Sequence, residues 1–513
     1  MPVIRYWRWL VAPISGVLMW SGFAPLSWGW SSFFAVCALI AVLVGTTWRR
    51  AFLYSTLSGF VFFALLLYWL TIVGLDAWLL LSLVCSLSFG VMGVGIAFLS
   101  RFKWWPLLVP GMWIAQEWVR GSFPFGGFPW GSLAFSQIDT SFGRSAVVLG
   151  MLGSGGWLVL GASALVAGVR ELYSLNIGRS GAWFGLVLVT FLAPLLIHPP
   201  TQGDTQGGAA AANIGIVQGG TPEIGLGAFD VRRAVLDNHV RQTMLLAIDI
   251  SRDKQERPVF VLWPENSSDL DPYVDRAAQA AIGVAARTLG VPILVGAVVN
   301  NPADQNTVLN QGILWDPLTG AGQQYSKTHP VPFGEYIPFR SLLAPLINRF
   351  DRIGRDFAAG TQTGIFNIGG IAAGDVICFE VAYNSVIDPL IDDGARVLMV
   401  QTNNATYAGT AQPGQQFAIE RMRALETGRS VVVAATTGIS AFINPDGTVQ
   451  AQIPEGQVGG LVREVALRGS LNLSAYLSRP LSAAWALVAV VIAAWVPVRA
   501  VRRKRTLQRK VTR

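Results

Sequence analysis

Hydrophobic and polar positions divide this chain into two regimes. From residue 8 to about 198, and again near 480–498, apolar residues run almost unbroken; between them they come in short runs separated by polar segments. Eight stretches come near the ~20 residues that a helix needs to cross a bilayer. They lie around 8–25, 28–46, 51–73, 77–99, 104–120, 145–168, 181–198 and 480–498, the fifth interrupted by Pro106, Pro110 and Glu117. The polar insert opens on a Pro/Gly linker that starts at His198-Pro199-Pro200. Inside it, 214–218, 259–263, 293–299, 373–378, 397–401 and 431–436 read as buried strands. Helical patterns occupy 229–250, 274–289 and 413–428, another helix follows Cys378, and Asn444-Pro445-Asp446-Gly447 marks a hairpin. That alternation predicts a layered α/β sandwich. The expected organisation is a membrane α-helical domain over 1–198, an α/β domain over 199–479, and a last membrane helix with its tail over 480–513.

Composition supports a membrane protein: 52% of the 513 residues are hydrophobic and 13% are charged, about half the ~25% usual in soluble domains. The net charge of +8 is concentrated in the tail, where 499–513 holds eight Lys or Arg and no acid, so the rest of the chain is close to neutral. A basic run directly after an apolar segment is a topology and headgroup anchor, which argues against a nucleic-acid partner. Counted from an inside N-terminus, the inner segments carry Arg5, Arg8, Arg49, Arg50, Arg101, Lys103, Arg170 and Arg179, and the short outer loops only Arg120 and Arg144. This bias predicts cytoplasmic termini and an extracytoplasmic 199–479 insert. The first stretch resembles a signal peptide but no small-residue cleavage site follows it, so it reads as retained.

Three segments of the insert carry chemistry. Trp263-Pro264-Glu265-Asn266-Ser267 puts a carboxylate where a buried strand must end, a setting that desolvates it and makes it a better base. Ile377-Cys378-Phe379-Glu380 puts a thiol at a strand-to-helix turn, where backbone N–H groups favour a thiolate. Tyr325-Ser326-Lys327-Thr328-His329 supplies a cation on a Pro-rich, rigid stretch, suited to stabilising an oxyanion. Each has a plainer reading: a turn-capping Glu, a buried structural Cys, a solvated Lys. Cys378 is the one cysteine outside the apolar stretches, unpaired in a compartment that oxidises thiols. Of three histidines only His329 lies near a motif, so a Cys–His pair is less well supplied than a Glu–Lys–Cys set. No metal-ligand cluster or phosphate-binding Gly-rich loop calls for a metal or other cofactor.

Together with Phe333-Gly334-Glu335-Tyr336, these motifs resemble the nitrilase (carbon–nitrogen hydrolase) superfamily. With eight apolar stretches around them and Gly126-Gly127-Phe128-Pro129-Trp130 in an outer loop, the whole chain resembles the bacterial apolipoprotein N-acyltransferase family. The resemblance implies an αββα sandwich joined to a helical membrane domain in the cytoplasmic (inner) membrane. It implies transfer of an acyl chain from a phospholipid, through a cysteine thioester, to the α-amino group of a diacylglyceryl-modified N-terminal cysteine on a lipoprotein. Carried over, Cys378 is the nucleophile, Glu265 the general base and Lys327 the stabilising cation, with Glu335 and Glu380 as supporting acids. Two positions depart from the family pattern: Phe379 stands where an aromatic hydroxyl is expected, and Asn403-Asn404-Ala405-Thr406-Tyr407 replaces Asn-Asp-Ala-Trp-Phe. Phe379, Asn403 and Asn404 are read as pocket residues.

A lipid substrate needs an entry path. Apolar residues at Phe339, Leu342, Leu343, Leu346, Ile347 and Phe350 keep helical spacing, a candidate lipid-facing lid, or an ordinary helix packed on the core. Glu117 and Arg120 are expected to pair at the outward end of the fifth stretch. The alternative activity is a membrane-anchored amidase that passes the acyl group to water, for which eight spans have no use. A transporter or inert scaffold leaves the triad unexplained, and nothing in the sequence requires more than a monomer.

Overall fold

The computed structural model describes residues 6–227, 233–343 and 354–511, with side chains described except at 342–343 and 498–511. The chain forms two compact units, Met1–His198 with Asn472–Arg513, and Pro199–Leu471.

The first unit is helical: α1 (Trp7–Ser21), α2 (Gly29–Leu43), α3 (Trp48–Leu66), α4 (Leu75–Leu99), α5 (Trp105–Arg120), α6 (Ala146–Tyr173) and α7 (Ile177–Leu192), joined late in the chain by α13 (Leu473–Val511). Small residues let these helices approach: Gly59 and Gly93 sit between α3 and α4, Gly111 of α5 lies against Trp485 of α13, and the Ser15 and Ser58 hydroxyls bond at 2.7 Å. Among the described residues, four segments are long and apolar enough to cross a membrane: Leu75–Leu99, Ser141–Tyr173, Ile177–Leu196 and Leu473–Pro497. The other expected spans are helices too, but α1 and α2 have 15 residues each and α5 has 16. The last helix begins at Leu473, before the stretch expected near 480, and runs through Pro480. Glu117 and Arg120 do not pair as expected. Arg120 donates to the carbonyls of Phe128 and Trp130, both at 2.6 Å, and Glu117 accepts from Leu133 N–H and the Trp113 indole. Arg120 therefore holds the Gly126–Trp130 loop and Glu117 the turn that opens at Leu133, because buried backbone groups need partners more than the two side chains need each other.

The second unit is a two-sheet sandwich. Its strands are β1 (Ala211–Gln218), β2 (Phe260–Leu262), β3 (Ile293–Asn300), β4 (Thr307–Asp316), β5 (Gly320–Ser326), β6 (Asp356–Phe357), β7 (Ile365–Ile368), β8 (Ile371–Ile377), β9 (Val397–Thr402), β10 (Ser430–Ala435), β11 (Ser440–Ile443), β12 (Val449–Ile453) and β13 (Gly459–Ala466). One sheet has the order β13-β1-β2-β3-β4-β5 with β6 beside β4; the other runs β12-β11-β10-β9-β8-β7. Pairing is parallel at the centre of each sheet (β1-β2-β3 and β8-β9-β10) and antiparallel along the path towards the edges, with the two-residue β6 parallel to β4. Alternation along the strands makes the layers: Ile214, Ile216 and Leu262 face Ile377, Met399 and Val432 in the core between the sheets. Val217, Val261 and Trp263 face outward onto α8 (Ala234–Ser251) and α9 (Arg276–Leu289). α11 (Asn384–Asp392) and α12 (Gln412–Thr427) pack on the second sheet, and α10 (Arg340–Leu343) is a single turn. The expected strands are all present within a few residues. The expected hairpin at Asn444–Gly447 joins β11 to β12; β4, β5, β6, β7 and β13 were not expected from the pattern.

Candidate active site

The chemistry-bearing residues stand where strands of both sheets end. β2 ends at Leu262, and Glu265 follows it after Pro264, with its side chain buried. β5 ends at Ser326, and Lys327 is next, 2% exposed. β8 ends at Ile377, and Cys378 opens the short turn 378–382 that precedes α11. Cys378 has φ +56°, a left-handed conformation that costs a non-glycine residue roughly 1–3 kcal/mol. Asn266 and Phe333 share this strain, with φ +54° and +62°.

Lys327 Nζ donates to Glu265 Oε1 at 3.2 Å and to Glu335 Oε1 at 2.9 Å. Asn310, from the middle of β4, donates its amide to the same two oxygens at 2.7 and 3.1 Å. Glu335 is tied further by Val331 N–H, 2.6 Å from Oε2. One ammonium and one neutral amide thus hold two carboxylates together. Burial pushes the Glu265 carboxyl up; Lys327, Asn310 and the hydrogen-bonding Cys378 side chain pull it back, and the Glu335 charge adds to the rise. Burial alone would lower Lys327, but Glu265 and Glu335 outweigh it and hold the ammonium well above its ordinary range. The cation is permanent.

Cys378 departs from expectation. Burial, and then the Glu265 charge, push its thiol up to about 12, against the pull of Lys327, the Thr402 hydroxyl and the Asn403 N–H. The resting group is a thiol, and a base is needed to activate it.

Glu380 is fully buried and lies apart from the Lys327 ammonium's bonds. Its carboxylate accepts from Thr328 N–H (2.7 Å), Thr328 Oγ1 (2.9 Å), His329 N–H (3.0 Å), Ile377 N–H (3.0 Å) and Tyr325 OH (3.0 Å). It ties the turn bearing Lys327 to the turn bearing Cys378. His329 contacts Thr328 Oγ1 and Ser385 Oγ through its ring nitrogens and packs on Tyr383. Phe379 packs edge-on against Tyr383 at 5.4 Å. Asn403 accepts from Ala405 N–H through its side chain, whereas Asn404 is buried and commits its amide to Gln412 and Gln416 of α12. Of the lid residues, Phe339 is 68% exposed at φ +52°, Leu342 and Leu343 end α10 with undescribed side chains, and Leu346, Ile347 and Phe350 lie outside the described residues. Arg340, at the start of this segment, is clamped by Asp356 at 2.6 and 2.9 Å. Among the described residues no group of His, Cys, Asp and Glu is arranged to hold a metal.

Sequence reasoning missed Asn310 and Thr402, neutral side chains that carry no motif of their own. The signal for Asn310 was the polar Asn310-Gln311-Gly312 break inside an otherwise apolar strand.

Comparison with known proteins gives a consistent result. Residues 15–164 match the family model of the apolipoprotein N-acyltransferase N-terminal domain, and residues 250–469 that of the carbon-nitrogen hydrolases. The chain is 36% identical over 470 residues to an apolipoprotein N-acyltransferase of Mycolicibacterium smegmatis, covering 85% of this chain and 77% of that one. It is 28% identical over 502 residues to one of Gloeobacter violaceus, covering 91% and 90%. A solved amidase of the nitrilase superfamily from Nesterenkonia AN1 aligns with 54% of this chain and 98% of its own, at 16% identity and a TM-score of 0.38. The second unit has the carbon–nitrogen hydrolase fold, preceded by a helical region with several apolar helices.

Proposed function

The chain belongs to the apolipoprotein N-acyltransferase family, and on that premise we propose how its residues move an acyl chain from a phospholipid to a lipoprotein. It is a membrane acyltransferase. The observation that carries the mechanism is the convergence of Glu265, Lys327 and Cys378 from three strand ends, with Lys327 bonded to Glu265 at 3.2 Å and both charges acting on the Cys378 thiol. Glu265 takes the proton of the Cys378 thiol as the sulfur attacks the ester carbonyl of the phospholipid. Lys327 and the Asn403 N–H stabilise the oxyanion; as it collapses the C–O ester bond breaks, Glu265 returns the proton to the departing glycerol oxygen, and lysophospholipid leaves behind an acyl-thioester. The α-amino group of the diacylglyceryl-modified cysteine then attacks that thioester; Glu265 accepts its proton and passes it to the Cys378 sulfur as the C–S bond breaks, which restores the thiol and the carboxylate. A thiol held up to about 12 is uncharged until a substrate arrives, so it does not lie open as a thiolate in an oxidising compartment.

Glu335 supports the cation, and Glu380 holds the two turns in register. Phe379 and Asn403 are read as pocket groups. Asn404, tied to α12, shapes the pocket from behind. The segment from Phe339 to Ile347 is read as the lid over the lipid path. The eight helices of the first unit are read as spans of the inner membrane, with both termini cytoplasmic and the sandwich outside; the Arg and Lys asymmetry of the short loops supports this.

The test is a mass spectrum of a diacylglyceryl-cysteine peptide incubated with the detergent-purified protein and phospholipid. The expected result is a gain of one acyl chain, absent with Cys378→Ala. Transfer by the Cys378→Ala protein would sink the nucleophile assignment. Free fatty acid with an unchanged peptide would make the protein a hydrolase.

A further inference from the structure

β8 and β9 run parallel with Ile377 opposite Gln401, so the next residues along each strand, Cys378 and Thr402, lie side by side. Thr402 Oγ1 is 3.4 Å from Cys378 Sγ and also 3.4 Å from Asn404 Oδ1. The equal distances do not mean equal bonds. Sulfur is the larger atom, and 3.4 Å is an ordinary O–H···S separation, whereas O–H···O bonds lie at ~2.5–3.0 Å.

The other side of the hydroxyl is already taken. Gln416, on the buried face of α12, donates Nε2 to Thr402 Oγ1 at 2.8 Å. The orientation of that amide is set by its neighbours. Its Oε1 accepts from Asn404 Nδ2 at 3.1 Å and Gln412 Nε2 at 3.2 Å, and its Nε2 also donates to Glu420 Oε1 at 3.1 Å. With a lone pair filled by Gln416, the Thr402 proton is left to point at sulfur. Thr402, Asn404, Gln412, Gln416 and Glu420 are buried and Cys378 is partly buried, so the Thr402–Gln416 bond behind the sulfur is shielded from water.

We propose that Thr402 is a further catalytic residue, its hydroxyl donating to the Cys378 sulfur as the thiolate forms, and that Gln416 is the positioning residue that aims it. The proposal rests on Cys378 being the nucleophile. Glu265 takes the thiol proton, Thr402 keeps its own, and no covalent bond is made to either. The other groups facing the sulfur are the Lys327 cation, the Asn403 N–H and the phenol of Tyr407. Lys327 is engaged by two carboxylates, so Thr402 is the one neutral side-chain donor directed at the sulfur among the hydrogen bonds of the described residues.

The test uses the full chain in detergent with Cys37→Ala and Cys85→Ala, which leaves Cys378 as the sole thiol. Its alkylation by iodoacetamide is followed across neutral to alkaline pH, beside acyl transfer. Thr402→Val should slow alkylation about tenfold at a fixed pH and move the rise about one pH unit upward, the effect of losing one hydrogen bond to a charged group. Thr402→Ser should restore both, and Gln416→Leu should shift both in the same direction by less. A Thr402→Val profile that superimposes on its parent overturns the role given to Thr402. Acyl transfer that survives Cys378→Ala overturns the nucleophile assignment instead, so the two failures are distinguishable.

Discussion

Two clusters of buried charge meet at residues 325–329, and each is neutralised by a different means. On one side Lys327 answers Glu265 and Glu335 with a full opposite charge. On the other, Glu380 is answered only by neutral donors: two hydroxyls and three backbone N–H groups. A carboxylate paired with a cation sits in a field that changes when either partner gains or loses a proton, which suits a base that must cycle. A carboxylate inside a cage of fixed dipoles has no such partner and serves geometry. The first cluster is therefore read as chemistry and the second as scaffolding for it.

The largest effect should come from Lys327→Met. It leaves Glu265 and Glu335 facing each other across Asn310 with no cation, and removes the oxyanion's charged partner. Acyl transfer should fall about a thousandfold, and destabilisation of about 3–5 kcal/mol should accompany it, because breaking a buried pair strands the remaining charge. A kcat within tenfold of the parent in a phospholipid-to-peptide assay would remove Lys327 from the mechanism.

Glu380→Gln comes next and should behave differently. Glutamine keeps the shape, but it turns a donor towards Tyr325, Thr328, His329 and Ile377, all of which already donate. Thermal denaturation in detergent should report a loss of about 1–3 kcal/mol, with kcat down about tenfold as the two turns lose their tie. The pH dependence of the surviving activity should not move. If it moves as it does on removing the cation, the contrast between the clusters is wrong.

How much of this was legible in the sequence follows the same division. Glu265, Lys327 and Cys378 are ionisable residues at strand ends and announce themselves. The central strands were visible because burial on both faces makes them continuous apolar runs, as in β2 and β9. β4 was hidden because it serves the site. Asn310 faces the carboxylates, and Gly312 leaves room where a Cβ would strike Asp375 and Gln401, so two polar or small residues interrupt the apolar pattern. β5 was hidden because four consecutive residues, 321–324, are exposed and offer no alternation. β13 returns at the end of the unit to pair with β1 across some 250 residues, a partnership no local pattern encodes. The Glu117–Arg120 pairing failed for a related reason: spacing put the charges close together, but unsatisfied carbonyls of a loop still to come took the guanidinium.

The finest test of the comparison is pH. Burial holds the Glu265 carboxyl above the ordinary carboxylate range, and the neighbouring Glu335 charge pushes in the same direction against Lys327. In the proposed mechanism Glu265 serves as the base, which requires it ionised, and the Cys378 thiol, pushed up to about 12, stays protonated across the working range. The acid limb of kcat/KM should therefore rise as pH climbs through the raised pKa of Glu265, not with ionisation of the thiol. Glu335→Gln removes the like charge but keeps an oxygen for Lys327 and Asn310, and it frees the cation to favour Glu265. The limb should move to lower pH, by less than about one unit for a partly compensated charge, with kcat on the plateau changed less than by either substitution above. A shift to higher pH would mean that Glu335 acts chiefly by holding Lys327 in place. The first cluster would then be scaffolding as much as the second.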